Sequence, residues 1–294
     1  MKKKDEISRN KSRKSIRAKL EIFRGNGSLI AGLCITLPLF IAGYIGPLIV
    51  PPKGLSMLSC PKDRPPSPQH ILGTDTLGRD VFVLLVYSLR ESLTIGVIAG
   101  LIGVAIGTII GFIAGYKGGL IDDILRNITD LFLIIPTWPL LVLLSAYLKE
   151  VTIPMLATLL AVFSWAGCAR GMRSQILSLK ERGFVRLAKI SGESDFEIIF
   201  KEILPNMLSY VGVMFGGSMC GAMMAEVGLE IIGLGPVGAN TLGLMIYWAT
   251  FYGALVKRMW WWIVPPVVCL VASFLGLQLL NIGLDRLYNP RLRR

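Results

Sequence analysis

The chain has 294 residues, 53% of them hydrophobic, with 31 Lys and Arg against 19 Asp and Glu and a net charge of +12. Apolar runs long enough to cross ~30 Å of hydrocarbon recur along it, which excludes an ordinary soluble domain. The charge does not mark a nucleic-acid binder, because ten basic residues crowd the first 24 positions and Arg291, Arg293 and Arg294 close the chain. Basic residues at both ends favour two cytoplasmic termini, and hence an even number of spans.

In chain order, residues 1–28 form a basic tail suited to anionic headgroups. Residues 29–50 are the first span, with Pro38 and Gly46 as tolerated irregularities. An external segment follows over 51–91. Within it Gly73 and Gly78 mark turns, and Asp75, Arg79 and Asp80 are placed for a local polar network. The single histidine, His70, is a loop residue. The second span, 92–116, carries Gly96 and Gly100, then Gly103, Gly107, Gly111 and Gly115, each set at intervals of four. Such rows let helix backbones approach closely, so this span belongs at the centre of a bundle, or alternatively forms a pore wall. A short inner loop over 117–126 leads to Asp130, a structural hydrogen-bonding group at the mouth of the third span, 131–148. Pro136 and Pro139 interrupt that span. The fourth span covers 151–171, with Arg170 and Arg173 flanking its inner end.

Residues 181–206 are a polar interlude that reads as two short helices. Phe184, Leu187, Ala188 and Ser191 recur at helical spacing and give the first an apolar, small-residue face. Arg186 and Lys189 lie on another face. Gly192 permits a left-handed stop, Ser194 and Glu197 form a capping box that includes Asp195 in its first turn, and Pro205 ends the second helix. A helix of this kind suits a groove on a partner.

The fifth span, 208–225, contains Met214, Met219, Cys220, Met223 and Met224. These residues pack irregular gaps or line a path for a soft metal ion. Glu226, just past the span, is either a pathway carboxylate or an interfacial contact. Residues 226–257 read as turns and short helical pieces on the outer side. Trp260, Trp261 and Trp262 form an interfacial anchor, the sixth span runs to residue 284, and 285–294 are a second tail. The five cysteines are odd in number and scattered, which supports neither a disulfide framework nor a zinc site. Without a phosphate-cradling G-x-x-x-x-G-K-[ST] loop or a nucleophile elbow with a base, the chain is not an enzyme by itself.

Five strings resemble one family. His70 to Phe82, HILGTDTLGRDVF, is similar to the H-x-LGTD-x-LGRD segment of C-type permease subunits in the dipeptide/oligopeptide/nickel family of ABC importers. Gly115 to Pro136 resembles the same family. Arg186-Leu187-Ala188, with Gly192 and Ile203-Leu204-Pro205, resembles its cytoplasmic "EAA" loop. Here Arg186 and Leu187 stand in place of Glu and Ala, which reverses one charge. Glu226 to Gly235 and the closing Asn289-Pro290-Arg291-Leu292-Arg293 are similar to further family segments.

The resemblance implies an all-α integral membrane protein of the type I ABC importer permease fold. It has six transmembrane helices, five of them forming a core over 92–284, and a cytoplasmic coupling-helix loop. It also implies a second permease subunit, two ATPase subunits that carry the ATP and Mg, and an external solute-binding protein facing Gly73, Asp75, Gly78, Arg79 and Asp80. No cofactor is expected on this chain. Phe184, Arg186, Leu187, Ala188, Gly192, Ser194, Asp195 and Pro205 are the expected coupling residues, with Ala188 and Gly192 buried in an ATPase groove. Met219, Met223 and Glu226 are the candidate pathway residues. Peptide is the expected substrate, with oligosaccharide or nickel as alternatives. A secondary transporter without ATPase partners is the competing class. It would place ionisable residues in mid-span, whereas most charges here fall at span ends.

Overall fold

The structure is a computed structural model that describes residues 26–147, 151–236 and 238–288. The predicted N-terminal tail up to residue 25, the end of the third span at 148–150 and the closing tail from 289 lie outside the described residues. Among the described residues five helices are long and apolar enough to cross a membrane, and one bent pair, taken as one span, brings the number to six, as predicted.

The first helix, α1 (Gly27–Tyr44), continues through a short α2 (Gly46–Ile49). Asn26 caps it with its side-chain oxygen on Leu29 N at 3.3 Å, while its amide Nδ2 donates to Gly283 O at 2.6 Å. Glycine permits that approach: a Cβ on Gly283 would stand 2.6 Å from Leu29 Cα.

The second long helix is α3 (Val81–Lys117), 37 residues. It begins eleven residues earlier than the predicted second span, because Asp80 caps the backbone N–H groups of Phe82 and Val83 at 2.9 and 3.1 Å. Residues 81–91 are therefore helix rather than external loop.

The glycine rows of α3 are filled by neighbours, so they pack helices together rather than line a pore. Gly103, Gly107, Gly111 and Gly115 mesh with α6 (Ile153–Lys180), and Gly96 and Gly100 receive Met223 and Met219 of α8 (Asp195–Ile231). A Cβ on Gly107 would lie 2.7 Å from Trp165 O and 2.9 Å from Ala169 N. Backbone lies against backbone along this seam.

Between α3 and α6 runs the bent pair α4 (Gly119–Ile134) and α5 (Thr137–Tyr147), which turn by 74°. The predicted inner loop at 117–126 shrinks to a tight turn at Gly118 and Gly119, both with positive φ (68° and 58°). Only glycine enters that region without strain. Pro136 lacks the N–H that would continue α4 and pushes Ile135 into an extended conformation. Two ion pairs tie α4 to α6. Arg173 grips Asp122 through two nitrogens, one at 2.6 Å, and Arg170 Nη2 meets Asp130 Oδ1 at 2.6 Å. Both arginines sit within α6 rather than flanking its end, and Asp130 has the structural role assigned to it.

Pro205 does not end its helix. A π-helical stretch, Ile198–Ile203, precedes it inside the continuous α8. The wider turn accommodates a residue that has no N–H to donate and whose ring would otherwise clash. At its other end α8 continues to Ile231, so Glu226 lies in the helix and not beyond it.

After α9 (Leu242–Phe251), α10 (Trp260–Tyr288) completes the bundle. The tryptophan triplet at its start divides. Trp260 is exposed, Trp261 donates its indole N–H to Thr74 O at 3.3 Å, and Trp262 is fully buried among Val81, Leu84 and Met245. Only Trp260 is placed as an interfacial anchor would be, because successive helical side chains point in different directions.

Candidate functional site

The interlude between α6 and α8 folds as predicted in outline. Its first helix is α7 (Gly183–Ile190). Gly192 adopts φ +81°, and the returning N–H groups of Gly192 and Glu193 reach Lys189 O and Ala188 O at 3.1 and 3.2 Å. This is a left-handed glycine stop. The capping box forms in full: Ser194 N donates to Glu197 Oε2 at 3.1 Å and Glu197 N to Ser194 Oγ at 3.3 Å.

The faces of α7 differ from expectation. Ala188 is buried within the chain, beside Val185, against Phe112, Tyr116, Met172 and Ile176. Phe184 is partly buried against the same cluster. The apolar residues left outside are Leu187 and Ile190, 66% and 83% exposed. The period was read correctly and the phase was not: inspection of α7 cannot say which apolar stripe its own bundle takes.

Arg186 is exposed and donates to Glu181 Oε2 at 2.8 Å. That hydrogen bond is the chief cause holding the Glu181 carboxyl below the usual carboxylate range. The reversed charge at Arg186 is thus answered locally. Asp195 Oδ1 accepts the hydroxyl of Tyr116 at 2.6 Å, and Lys180 Nζ donates to Tyr116 O at 2.6 Å. Tyr116 therefore joins the ends of α3 and α6 to the start of α8. Nothing local in the sequence singles it out. Phe196 and Phe200, four apart on an exposed face with ring centroids 4.4 Å apart, were legible by spacing and were missed.

At the opposite end of the bundle, Gly73 and Gly78 take positive φ (69° and 74°) as turn residues. Asp75 accepts from Arg79 N and Arg79 Nε, both at 2.7 Å, and His70 Nδ1 lies 2.7 Å from Asp80 Oδ2. The polar network exists, but it is buried: these side chains hold the loop together from within instead of presenting themselves to a partner. Truncating Arg79 would leave Asp75, with 0% of its side chain exposed, as an unpaired buried charge. Breaking such a pair costs about 3–5 kcal/mol. Arg79→Ala is accordingly expected to open residues 51–80 to limited proteolysis in the purified protein, and unchanged cleavage would contradict this placement.

The candidate pathway residues are also enclosed. Met219 and Met223 are fully buried beneath Gly100 and Gly96. Glu226 Oε1 accepts from Ser92 Oγ at 2.8 Å, and the same Oγ accepts from Leu242 N at 3.0 Å. At the residue before Ser92, Glu91 Oε2 accepts from Asn240 N at 2.6 Å. Together these bonds fasten the start of α9 to α3. Among the described residues no group of three or more His, Cys, Asp or Glu is arranged to hold a metal ion.

A bundle of six apolar spans, interlocked by glycine and carrying a short helix with an exposed apolar stripe between its fourth and fifth spans, has the architecture of a membrane permease. The chain matches the family "Binding-protein-dependent transport system inner membrane component" over residues 107–294 and belongs to it. It is a multi-pass membrane protein, a permease subunit of a binding-protein-dependent ABC importer. It is 34% identical over 269 residues to the dipeptide transport system permease protein DppC of Bacillus subtilis, covering 92% of this chain and 83% of that protein. It is 35% identical over 223 residues to the oligopeptide transport system permease protein OppC of Lactococcus lactis subsp. lactis, covering 76% of each. Against OppC of Mycobacterium tuberculosis the identity is 30% over 273 residues, 92% of this chain and 93% of that one.

Proposed function

We propose that the chain is one of two permease subunits of an ATP-driven peptide importer, with both termini cytoplasmic. The observation that carries the peptide reading is the similarity, over most of its length, to dipeptide and oligopeptide permeases. The ten basic residues in the first 24 positions support the orientation. Of two ATPase subunits, which hold the ATP and Mg, one docks on α7 and the neighbouring Phe196 and Phe200. A solute-binding protein delivers peptide at the end formed by residues 51–80.

The mechanism is alternating access driven from α7. Closure of the ATPase pair displaces α7, whose inner face is packed on Phe112 and Tyr116 of α3. The glycine seam makes α3 and α6 one rigid body. Glu91 and Ser92, at the far end of α3, hold residues 240–242. From Glu91 to Tyr116 the helix spans ~38 Å at ~1.5 Å per residue, so a push on α7 reaches the outer end as rigid-body motion. The subunit need only favour two arrangements a few kcal/mol apart.

Tagging the chain and extracting it in mild detergent tests the assembly. A P-loop ATPase and a second permease are expected at stoichiometric yield, with peptide on the associated binding protein. A clean single species, with no ATPase recovered even by cross-linking, sinks the reading.

A further inference from the structure

Across the helix contacts, Asp122 is paired with Arg173, Asp130 with Arg170 and Glu226 with Ser92. A further polar stripe lies open on the surface of the bundle. On α10, Gln278, Asn281 and Asp285 recur at spacings of three and four and so share a face. All three border a cavity of about 470 Å³ between α6, α8 and α10, within the ~300–1,000 Å³ typical of ligand pockets. Among the described residues, neither Gln278 nor Asn281 makes a side-chain hydrogen bond. On the facing wall, the hydroxyl of Ser218 is sheltered and without a partner.

The cavity is shaped for close approach to backbone. At Gly167 and Gly217, which line it, a Cβ would meet nothing within 4 Å. Asn281 is seated on α8 at Gly216, where a Cβ would stand 3.0 Å from its Cγ. Asp285 lies on the α7 side of Asn281, since Asn281 meets α8 at Gly216 and Leu284 meets it four residues nearer its start, at Gly212. Uncompensated polar side chains are expensive in hydrocarbon and mark solute pathways when they face a cavity.

We propose that this wall is the peptide's inward path, with Gln278 and Asn281 reading backbone amides and Asp285 receiving the ammonium terminus. The inference rests on the importer reading above. A side-chain amide carries one acceptor and two donors, the same complement a peptide group needs. It satisfies a passing backbone whatever the side chains, as a carrier of mixed sequences requires. The opposite wall is left to the second permease.

Single cysteines at Gln278 and Asn281, in a cysteine-free background of the reconstituted importer, test the placement. A charged, water-soluble methanethiosulfonate is expected to label both in the absence of nucleotide, and trialanine with the binding protein and ATP is expected to slow labelling at least tenfold. A cysteine at exposed Leu37 on α1, which does not line the cavity, should stay unlabelled. Separately, the variant Gln278→Leu/Asn281→Leu should lose at least tenfold in trialanine uptake while ATP hydrolysis stimulated by loaded binding protein persists.

Labelling without peptide protection overturns the proposal, as does undiminished uptake by the double variant. Absence of labelling, together with loss of the second permease from the variant, would show instead that the face packs a partner helix. A wild-type importer that hydrolyses ATP but takes up no peptide defeats the substrate reading itself, separately from the question of whether the wall is wet.

Discussion

Gly107→Leu is expected to lower the thermal midpoint of the detergent-solubilised protein by more than any surface substitution, or to abolish accumulation of folded chain. A Cβ there meets Cys168 Cβ at 2.5 Å, Trp165 O at 2.7 Å and Ala169 N at 2.9 Å. Two of those atoms are backbone, so no rotamer change in α6 relieves the clash. Overpacking in a core typically costs about 1–3 kcal/mol, and an obstruction by backbone places this case at the upper end or beyond. Gly212→Ala is the control. Its Cβ would find only Leu284 Cδ1 at 3.7 Å, an ordinary contact, and replacing a mid-helix glycine by alanine stabilises by about 0.5–1 kcal/mol. Equal midpoints for Gly107→Leu and wild type would mean that α3 and α6 do not lie against each other as described.

The second large effect is expected on assembly. In Leu187→Ser/Ile190→Ser the chain should fold and insert normally, because both side chains are exposed on α7. Burying an aliphatic side chain of this size contributes about 1.5–3 kcal/mol. Losing two from the ATPase contact is therefore expected to weaken co-purification of the ATPase at least a hundredfold and to abolish ATP-driven uptake. Ala188→Leu should behave differently, destabilising the chain itself, since Ala188 is packed inside against Phe112 and Tyr116. If the serine pair keeps its ATPase while Ala188→Leu folds normally and loses it, the facing of α7 in the assembly is the reverse of that seen here.

These two results divide what local pattern reveals from what it does not. The turn at Gly192 and the box at Ser194 and Glu197 were legible because each depends on residues within four positions. The glycine rows of α3 were legible as packing faces for the same reason. The phase of α7 was not: two apolar stripes compete for burial, and which wins depends on where α3 and α6 end. Pro205 misled because its helix-ending effect is offset by a π turn that nothing in its neighbours announces. Glu226 misled because the span was ended too soon, whereas α8 runs on to carry it inward to Ser92.

What the amino-acid order determined by itself is the class of the molecule: a multi-span helical membrane protein with an interruption built as a helix, a glycine stop and a cap. Hydrophobic length, glycine conformational freedom and capping are short-range matters, complete within a turn or a span. Tertiary structure alone decided which side chains remain available. It buried Asp75, Arg79 and Asp80 of the 51–80 loop, Met219 and Met223 of α8, and Ala188. It left Leu187, Ile190 and the stripe of Gln278, Asn281 and Asp285 open. Burial is a property of what lies opposite a residue, and in this bundle the opposite residue comes from a helix far along the chain, as Ser92 and Glu226 show with a separation of 134.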